Sequence, residues 1–291
     1  MADNLDITNG VASFVSRKDA WHALGTTLDR AFTAEEAMTQ GHLGGWNVRK
    51  VPLFAQVGDG IQIPMPGRFG VIRDNPVVDG KIDALGDVGD AYHIIQNEEH
   101  CDLLNALVDE SGAHFETAGA LAGGRRVFVS MKMPEHIAVG GVDNVDTYIT
   151  AVNSHDGSYA FTFLVSPVRV VCQNTLSAAF KRSTGMFRTR HTRGADSVIR
   201  QQARQTLDMT FRHLGAFAEE AEILINTELT QARFDEIIAA EFSVKDDAAK
   251  STVTRTDAKI EQIQWLFAEA ETQANIRGTA WAGLNAMTEW F

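Results

Sequence analysis

The strongest local constraint on the fold is an Asp-Gly pair, Asp156-Gly157, between two apolar runs rich in β-branched residues. The first run begins at Val145, and the second passes Pro167 and continues through Cys172. Such a pair between strand-like runs is typical of a tight β-hairpin, because its turn positions require positive φ. The sequence therefore predicts a hairpin whose second strand extends to Cys172.

A helix is predicted directly after this hairpin. Gln173-Asn174-Thr175 interrupts the strand pattern, and a helical pattern begins at Leu176–Phe180. A short side-chain oxygen can accept a hydrogen bond from an unpaired N–H group of the first helical turn, so Asn174 or Thr175 is expected to cap the helix. The centre of the chain is therefore expected to be a hairpin followed by a capped helix.

Similar patterns predict the elements that precede this centre. A second hairpin is expected around Gly123-Gly124, and Thr33 with Glu36 fits a capping box at the start of a short helix. The remaining expectations are strands at 46–51, 68–73 and 91–95, a loop or loose hairpin at 52–68, a Gly/Asp-rich segment without a strand at 79–90, and a helix from 96 to 112.

The C-terminal third is predicted to be helical, with helices at 195–226, 229–242, 255–274 and 279–290. Runs of strands followed by runs of helices indicate an α+β protein. The expected fold is a mostly antiparallel sheet of consecutive β-hairpins with flanking helices, followed by a helical C-terminal region. Three regions are expected: an N-terminal lead-in with a small α/β segment (1–67), the hairpin core (68–194) and the helical region (195–291).

Composition limits the setting in which the protein works. The formal net charge is −12, from 26 basic and 38 acidic residues, which argues against nucleic-acid binding by the surface as a whole. Two cysteines are too few for a disulfide framework, and the polar N-terminus does not resemble a secretory signal. No apolar run approaches the roughly 18 residues that indicate a membrane span. A cytoplasmic protein without a membrane partner is therefore expected.

The distribution of charge is more informative than its sum. Seven basic residues and one acidic residue lie between Lys181 and Arg204, whereas the remainder of the chain carries 19 basic and 37 acidic residues. This segment is either a solvated surface paired with carboxylates or an anion-binding surface, and we favour the second. Arg188 and Arg190 alternate as on one side of a strand, and Arg200 lies one helical turn before Arg204.

Candidate nucleic-acid-binding residues extend from this segment onto the hairpins. Tyr159, beside the Asp-Gly turn, is the expected base-stacking residue, whereas Phe161 and Phe163 are expected in the core. The full predicted set is Arg125, Arg126, Lys132, Tyr159, Arg169, Lys181, Arg182, Arg188, Arg190, Arg193, Arg200 and Arg204.

Other chemistry has less support in the residues. Cys172 with His155 and Asn174 is a candidate nucleophile set, but a cysteine at the end of an apolar strand is more often a buried core residue. The sequence contains no His-Glu-x-x-His or Cys-x-x-Cys motif. Three aspartates without a recognised motif remain as a candidate divalent-ion site: Asp143, Asp146 and Asp156. We therefore expect no metal and no cofactor, and favour a protein that is not an enzyme.

Motifs spread from Trp21 to Phe291 carry a family resemblance. They are WHALG, FETAGALAGGRRVFV, YITAVNSHDGS, PVRVVCQNTL, RHT and TAWAGLNAMTEWF. In this order they resemble the phage/plasmid-like proteins, which carry a domain of unknown function and are encoded by actinobacterial phages, plasmids and genomic islands. The resemblance implies a mobile-element origin and the host-cell cytoplasm. The order of hairpins and helix is also similar to the core of ring-forming single-strand annealing recombinases, in which a curved sheet and a helix form a basic groove.

Two functions from different classes follow from these observations. The first is a non-catalytic protein that binds or anneals single-stranded DNA in phage or plasmid recombination or replication and acts as a homo-oligomer. The alternative is a structural or interaction protein of a mobile element that assembles, or binds a host factor, through its helical C-terminal region. The expected contact residues of that region are Trp265, Phe267, Trp281 and Trp290.

Overall fold

A computed structural model describes most of the chain, namely residues 4–58, 60–99, 104, 105, 108, 112–183, 185–193, 215–244 and 249–290. The fold is α+β, with mostly antiparallel sheets and a helical C-terminal region, as the sequence predicts. Two compact units are present, one of residues 1–136 with 146–213 and one of residues 137–145 with 214–291. The predicted region boundaries at 67/68 and 194/195 stay predictions.

The elements are numbered in chain order. The strands are β1 (Ile7–Thr8), β2 (Val11–Ala12), β3 (Phe14–Ser16), β4 (Thr26–Thr27), β5 (Arg49–Gln56), β6 (Gln62–Asp74), β7 (Ile82–Gly89), β8 (His114–Leu121), β9 (Arg126–Val139), β10 (Asp143–Ser154), β11 (Phe161–Ser166) and β12 (Gly185–Thr189). The helices are α1 (Ala34–Gln40), α2 (Gln173–Lys181), α3 (Gln231–Glu241), α4 (Lys250–Ala268), a 3-10 turn at Glu271–Gln273, and α5 (Ala280–Trp290).

A seven-stranded sheet forms the centre of the first unit, in the order β12-β11-β10-β9-β8-β3-β4. Both predicted hairpins are confirmed, and their four strands are neighbours in this one sheet. The turn glycines adopt positive φ, +83° at Gly124 and +72° at Gly157, which explains why glycine is required there. Phe161 and Phe163 are fully buried, as predicted.

Each face of this sheet supports a separate apolar core. On one face, Val129, Ala151 and Phe163 belong to a cluster that includes Trp46 and residues of α1 and β6. On the other face, Phe128, Val152 and Leu164 pack with the apolar side of α2. The two faces alternate along each strand because successive side chains point to opposite sides. The side covered by α2 carries the candidate site.

The prediction that the second strand extends to Cys172 is wrong. β11 ends at Ser166, since Pro167 has no N–H group to donate to a neighbouring strand. Residues 167–171 then run without strand pairing, and the buried Val170 carbonyl accepts a hydrogen bond from Thr117 Oγ1 (2.6 Å).

The predicted helix cap is also wrong by two or three positions. Cys172, not Asn174 or Thr175, is the N-cap of α2. Thr175 instead occupies the third helical position, where its Oγ1 accepts hydrogen bonds from the Val171 N–H (2.8 Å) and the Cys172 N–H (2.9 Å). The short polar side chain therefore satisfies the donors before the helix rather than those within its first turn.

A three-stranded antiparallel sheet, β5-β6-β7, corrects the expectations for the N-terminal part. For 52–68 the hairpin alternative is confirmed, because β5 and β6 pair across this segment, whereas 79–90 lies largely in β7 and 91–95 is not a strand. β5 and β6 accept the prolines and glycines of 52–68 because each strand has an edge without a neighbour at those positions. The capping box is confirmed: Thr33 Oγ1 accepts from the Glu36 N–H, and the Glu36 carboxylate accepts from the Thr33 N–H.

Helices dominate the second unit, as predicted. Residues 215–225 are helical, and α3, α4 and α5 follow; the first 20 residues of the helix predicted at 195–226 lie outside the described residues. Phe234, Ile263 and Trp281 are buried together in one apolar core. Among the helices that the structure describes, none is both long enough and apolar enough to cross a membrane.

Candidate nucleic-acid interface

The edge strand β12 brings one arginine of the basic segment onto α2. β12 pairs with β11, with Arg188 opposite Thr162. Met186 packs into the core beneath α2, and Arg188, two residues further on, lies on the same side of the strand. The Arg188 guanidinium consequently lies over the ring of Phe180, 5.7 Å from its centroid.

This contact belongs to a chain of contacts that links two aromatic rings and two arginines. The Phe180 ring lies 5.6 Å from the ring of Tyr159, and the Arg126 guanidinium lies 4.6 Å from the Tyr159 centroid. We call Arg126, Tyr159, Phe180 and Arg188 the aromatic strip. The two rings are half-buried and Arg188 is exposed. Cation–π contacts of this kind keep guanidinium groups beside aromatic rings, and both kinds of group can stack with bases.

Hydrogen bonds fix the Arg126 end of the aromatic strip. Arg126 donates to Gln173 Oε1 (2.9 Å) at the start of α2 and to Ser158 Oγ (3.3 Å) in the hairpin turn. Ser154 Oγ donates to the Tyr159 carbonyl and accepts from its N–H group. The side chain of Asp156 accepts from the Ser158 N–H, which closes the Asp-Gly turn. Tyr159, the predicted stacking residue, is thus positioned by the Asp-Gly turn that the sequence predicts.

Behind the aromatic strip, the basic segment is anchored by a buried histidine. The His191 ring stacks on the Tyr92 ring, with centroids 4.7 Å apart and an interplanar angle of 14°. The Tyr92 hydroxyl donates to the Ser154 carbonyl, and the His191 carbonyl accepts from the His93 N–H (2.9 Å). Burial lowers the pKa of His191 to about 4 and raises the pKa of Tyr92. His191 therefore holds its exposed neighbour Arg190 beside the Asp-Gly turn.

Several predicted cations on this side carry no compensating carboxylate. In the described part of the chain, no ion pair involves Lys181, Arg188, Arg190 or Arg193, all of which are exposed. Arg182 ends α2, and its partial burial lowers the pKa of its guanidinium. Some exposed arginines elsewhere are paired: Arg30 with Glu36, Arg68 with Asp87 and Arg233 with Glu236. Others, such as Arg125 and Arg255, are exposed and make no ion pair among the described residues. What distinguishes the basic segment is that four such cations occur within 13 residues, next to the aromatic strip.

Two predicted cations are not brought to the aromatic strip. Lys132 pairs with Asp146, and it lies six residues along β9 from Arg126, roughly 20 Å at the usual rise of a strand. Arg169 pairs with the buried Glu116 (3.0 Å) and donates to the carbonyls of Lys18 and Asp19. Both side chains therefore make structural contacts away from the aromatic strip.

The other predicted cations are placed as follows. Arg125 is exposed in the Gly123-Gly124 turn, and its carbonyl accepts from the His155 N–H. Arg200 and Arg204 lie outside the described residues. Three members of the predicted set therefore belong to the aromatic strip: Arg126, Tyr159 and Arg188. Phe180 connects Tyr159 with Arg188.

Phe180 and Gln173 were missed by sequence reasoning. Phe180 immediately precedes Lys181-Arg182, and an aromatic residue beside a basic pair is a signal that was available. Gln173 carries no comparable signal, because its role depends on Arg126, 47 residues away.

The structure does not bring the candidate nucleophile residues together, and it does not bring the candidate metal ligands together. Cys172 is buried in the α2 core, whereas the His155 ring nitrogen contacts Asn97 (3.0 Å) in a separate buried site. Trp281 Nε1 donates to Asp143, and Lys132 pairs with Asp146. Among the residues that the structure describes, no three His, Cys, Asp or Glu side chains are grouped as metal ligands.

The fold and this surface define an α+β protein with a basic, aromatic face beside one sheet edge. The chain belongs to the family described as Domain of unknown function (DUF932), whose family model matches residues 84–291. The match covers the hairpin sheet, the aromatic strip and the helical region. Neither a curated protein nor a solved structure matches the chain.

Proposed function

We propose that the protein binds single-stranded nucleic acid along the aromatic strip and the adjacent cations Arg190 and Arg193. Binding requires no catalytic residue, since cations neutralise phosphates while rings and guanidinium planes stack with bases. The observation that carries the proposal is that two neighbouring rings, Tyr159 and Phe180, each contact an arginine of the aromatic strip, next to basic side chains without described ion-pair partners.

Electrostatics explains how a protein of charge −12 can bind a polyanion here. Screening limits the repulsion from distant carboxylates to about 8 Å at physiological ionic strength. Within that distance the local cations outweigh the net charge, which for the rest of the chain is 19 basic against 37 acidic residues. The acidic remainder opposes wrong contacts and confines the strand to the basic segment.

A single strand fits this surface better than a duplex. Bases must be unstacked before they reach a ring such as Tyr159, and duplex bases are not. Annealing in phage or plasmid recombination or replication, in the cytoplasm of a host cell, is the role that we propose for this binding. The motif resemblance to phage- and plasmid-encoded proteins and the hairpin-helix order of annealing recombinases support this part of the proposal.

The alternative function is an interaction protein that uses the C-terminal helices. Phe267 and Trp281 are buried in the core of the second unit and Trp290 is half-buried, whereas Trp265 is 56% exposed. These helices therefore use most of their large aromatic residues for their own packing. The alternative becomes the better proposal if the following experiment fails.

Replacing Arg188, Arg190 and Arg193 together with Ala should weaken binding to a labelled single-stranded oligonucleotide. Each phosphate contact on a single strand contributes about 0.7 to the slope of log affinity against log salt, so the slope should fall in magnitude by about 2. Fluorescence anisotropy between about 50 and 300 mM salt measures this slope.

The matched control removes three exposed arginines elsewhere, Arg30, Arg68 and Arg233, and thus changes the net charge equally. It should keep the wild-type slope. Absence of wild-type binding at about 50 mM salt, or equal slopes for the two triple variants, would contradict the proposal.

Phe180→Leu should weaken the same binding without changing its salt slope. A stacked base is worth about 1–3 kcal/mol, or roughly 5- to 150-fold in affinity, and stacking releases no counterions. Phe187→Leu is the control, because Phe187 packs partly buried against the core on the opposite face of β12. Equal losses of affinity in the two variants would mean that Phe180 is only a packing residue.

A further inference from the structure

A two-stranded ribbon extends beyond the three-stranded sheet. β7 pairs with β6 only from Arg68 to Asp74, whereas β5 follows β6 further, to the pair Gln56 and Gln62. The Val57 N–H donates to the Ile61 carbonyl across the connecting turn. We call residues 53–58 and 60–67 the ribbon. A two-stranded hairpin is marginally stable by itself, so this element is expected to gain from a partner.

One face of the ribbon is apolar throughout. Ala55 lies opposite Ile63, and side chains two residues along each strand point to the same side. Val57, Ile61, Ile63 and Met65 therefore share one face, and their exposed fractions are between 46% and 62%. The opposite face is mixed: Phe54, which is 53% exposed, and Pro64 lie there with Gln56 and Gln62. The face with Val57, Ile61, Ile63 and Met65 is therefore the more uniformly apolar of the two.

Prolines at the edges determine how a partner can approach. Pro64 and Pro66 lie on β6 where β7 no longer covers it, and Pro52 lies on β5. Proline lacks the N–H that an added strand would need, and natural proteins use it to prevent edge-to-edge pairing. The ribbon is therefore suited to packing through its apolar face and not to the addition of a strand.

Charge indicates which partner this face accepts. Between Lys50 and Arg68 the sequence has one charged residue, Asp59, in a chain of net charge −12. Two copies of an acidic protein repel each other over most of their surfaces, but not where both present an uncharged face. The same face is present in each copy, which suits a two-fold interface in which the same patch meets itself.

We propose that the apolar face of the ribbon packs against the same face of a second copy of this chain. The two ribbons would stack like facing sheets, about 10 Å apart. Four half-exposed aliphatic side chains from each copy bury roughly 350 Å² of apolar surface, estimated from the free energy and area coefficient of burial. This is below the roughly 1,200 Å² of a standard interface, so the dimer is reversible and depends on concentration.

Sedimentation equilibrium of the full chain without nucleic acid tests the proposal, independently of the proposed function. Over about 1 to 100 µM the average mass of the wild type should rise above the 31.8 kDa of one chain. Ile63→Asp places a charge in the interface and should remain at the mass of one chain. Gln62→Asp, which adds the same charge on the opposite face, should behave as the wild type.

Disulfide trapping adds a geometric readout. Ile61→Cys should form a covalent dimer under mild oxidation, whereas Gln56→Cys, on the opposite face, should not exceed the wild type. A wild type of one-chain mass at about 100 µM, or equal self-association of the two Asp variants, overturns the proposal. The proposal is also overturned if the wild type is monomeric and the Ile63→Asp variant loses nucleic-acid binding. The ribbon would then belong to the nucleic-acid interface.

Discussion

Arg73→Met is expected to lower the free energy of unfolding by about 3–5 kcal/mol. The Arg73 side chain is 1% exposed and pairs with Asp6 (2.8 Å) and Asp83 (3.1 Å). Its guanidinium also lies 4.0 Å from the centroid of a Trp46 ring. Methionine preserves most of the volume but leaves the buried Asp6 without its cation, whereas Asp83 keeps its pair with Lys81 (2.9 Å). An unpaired buried charge is strongly unfavourable.

Arg68→Met is the matched control for this prediction, because Arg68 lies on the same strand and pairs with Asp87 at the surface. Exposed pairs contribute at most about 1 kcal/mol, so the control should unfold nearly as the wild type does. Urea denaturation measured by circular dichroism gives both values. Similar losses in the two variants would show that the buried pairs do not hold the N-terminal segment and β7 to β6.

Local structure that depends only on neighbouring residues could be predicted from the sequence. The Asp-Gly and Gly-Gly turns, the Thr33 capping box and the C-terminal helices are each determined within a few residues, and the structure confirms them. The segment 52–68 illustrates the opposite case. Its prolines and glycines fit a loop as well as a loose hairpin, and only the pairing between β5 and β6, which is not visible in local composition, decides for the hairpin.

The candidate site shows the same limit. Spacing predicts that Arg188 and Arg190 lie on one side of a strand, but not that the strand brings Arg188 onto α2. Nor could it reveal that Arg169 is already paired with Glu116, 53 residues away. Nor does any local pattern distinguish Arg73, a buried cation, from the surface arginines near it. Which cations remain available to a ligand depends on contacts between distant segments, and only the folded chain supplies these.

As the pH is lowered, the free energy of unfolding should decrease more steeply in the wild type than in a His191→Phe variant. Burial lowers the pKa of His191 from its ordinary value of 6.5 to about 4. As the pH falls below 6.5, the unfolded chain binds a proton at this position while the folded chain does not, so stability is lost. The loss is complete near pH 4, where the folded histidine also titrates, and amounts to about 3 kcal/mol.

Phenylalanine keeps the stack on Tyr92 but cannot bind a proton, so whatever His191→Phe costs at neutral pH should change little across this window. Urea denaturation at intervals between about pH 7 and pH 4 gives the free energy of unfolding of both proteins, and their difference isolates His191 from the carboxylates that they share. Thr192→Gln, an exposed neutral change at the next residue, controls for local disturbance and should follow the wild type. If the curves of wild type and His191→Phe run parallel from pH 7 to 4, the histidine is not held neutral by burial. The basic segment would then need another anchor beside the Asp-Gly turn.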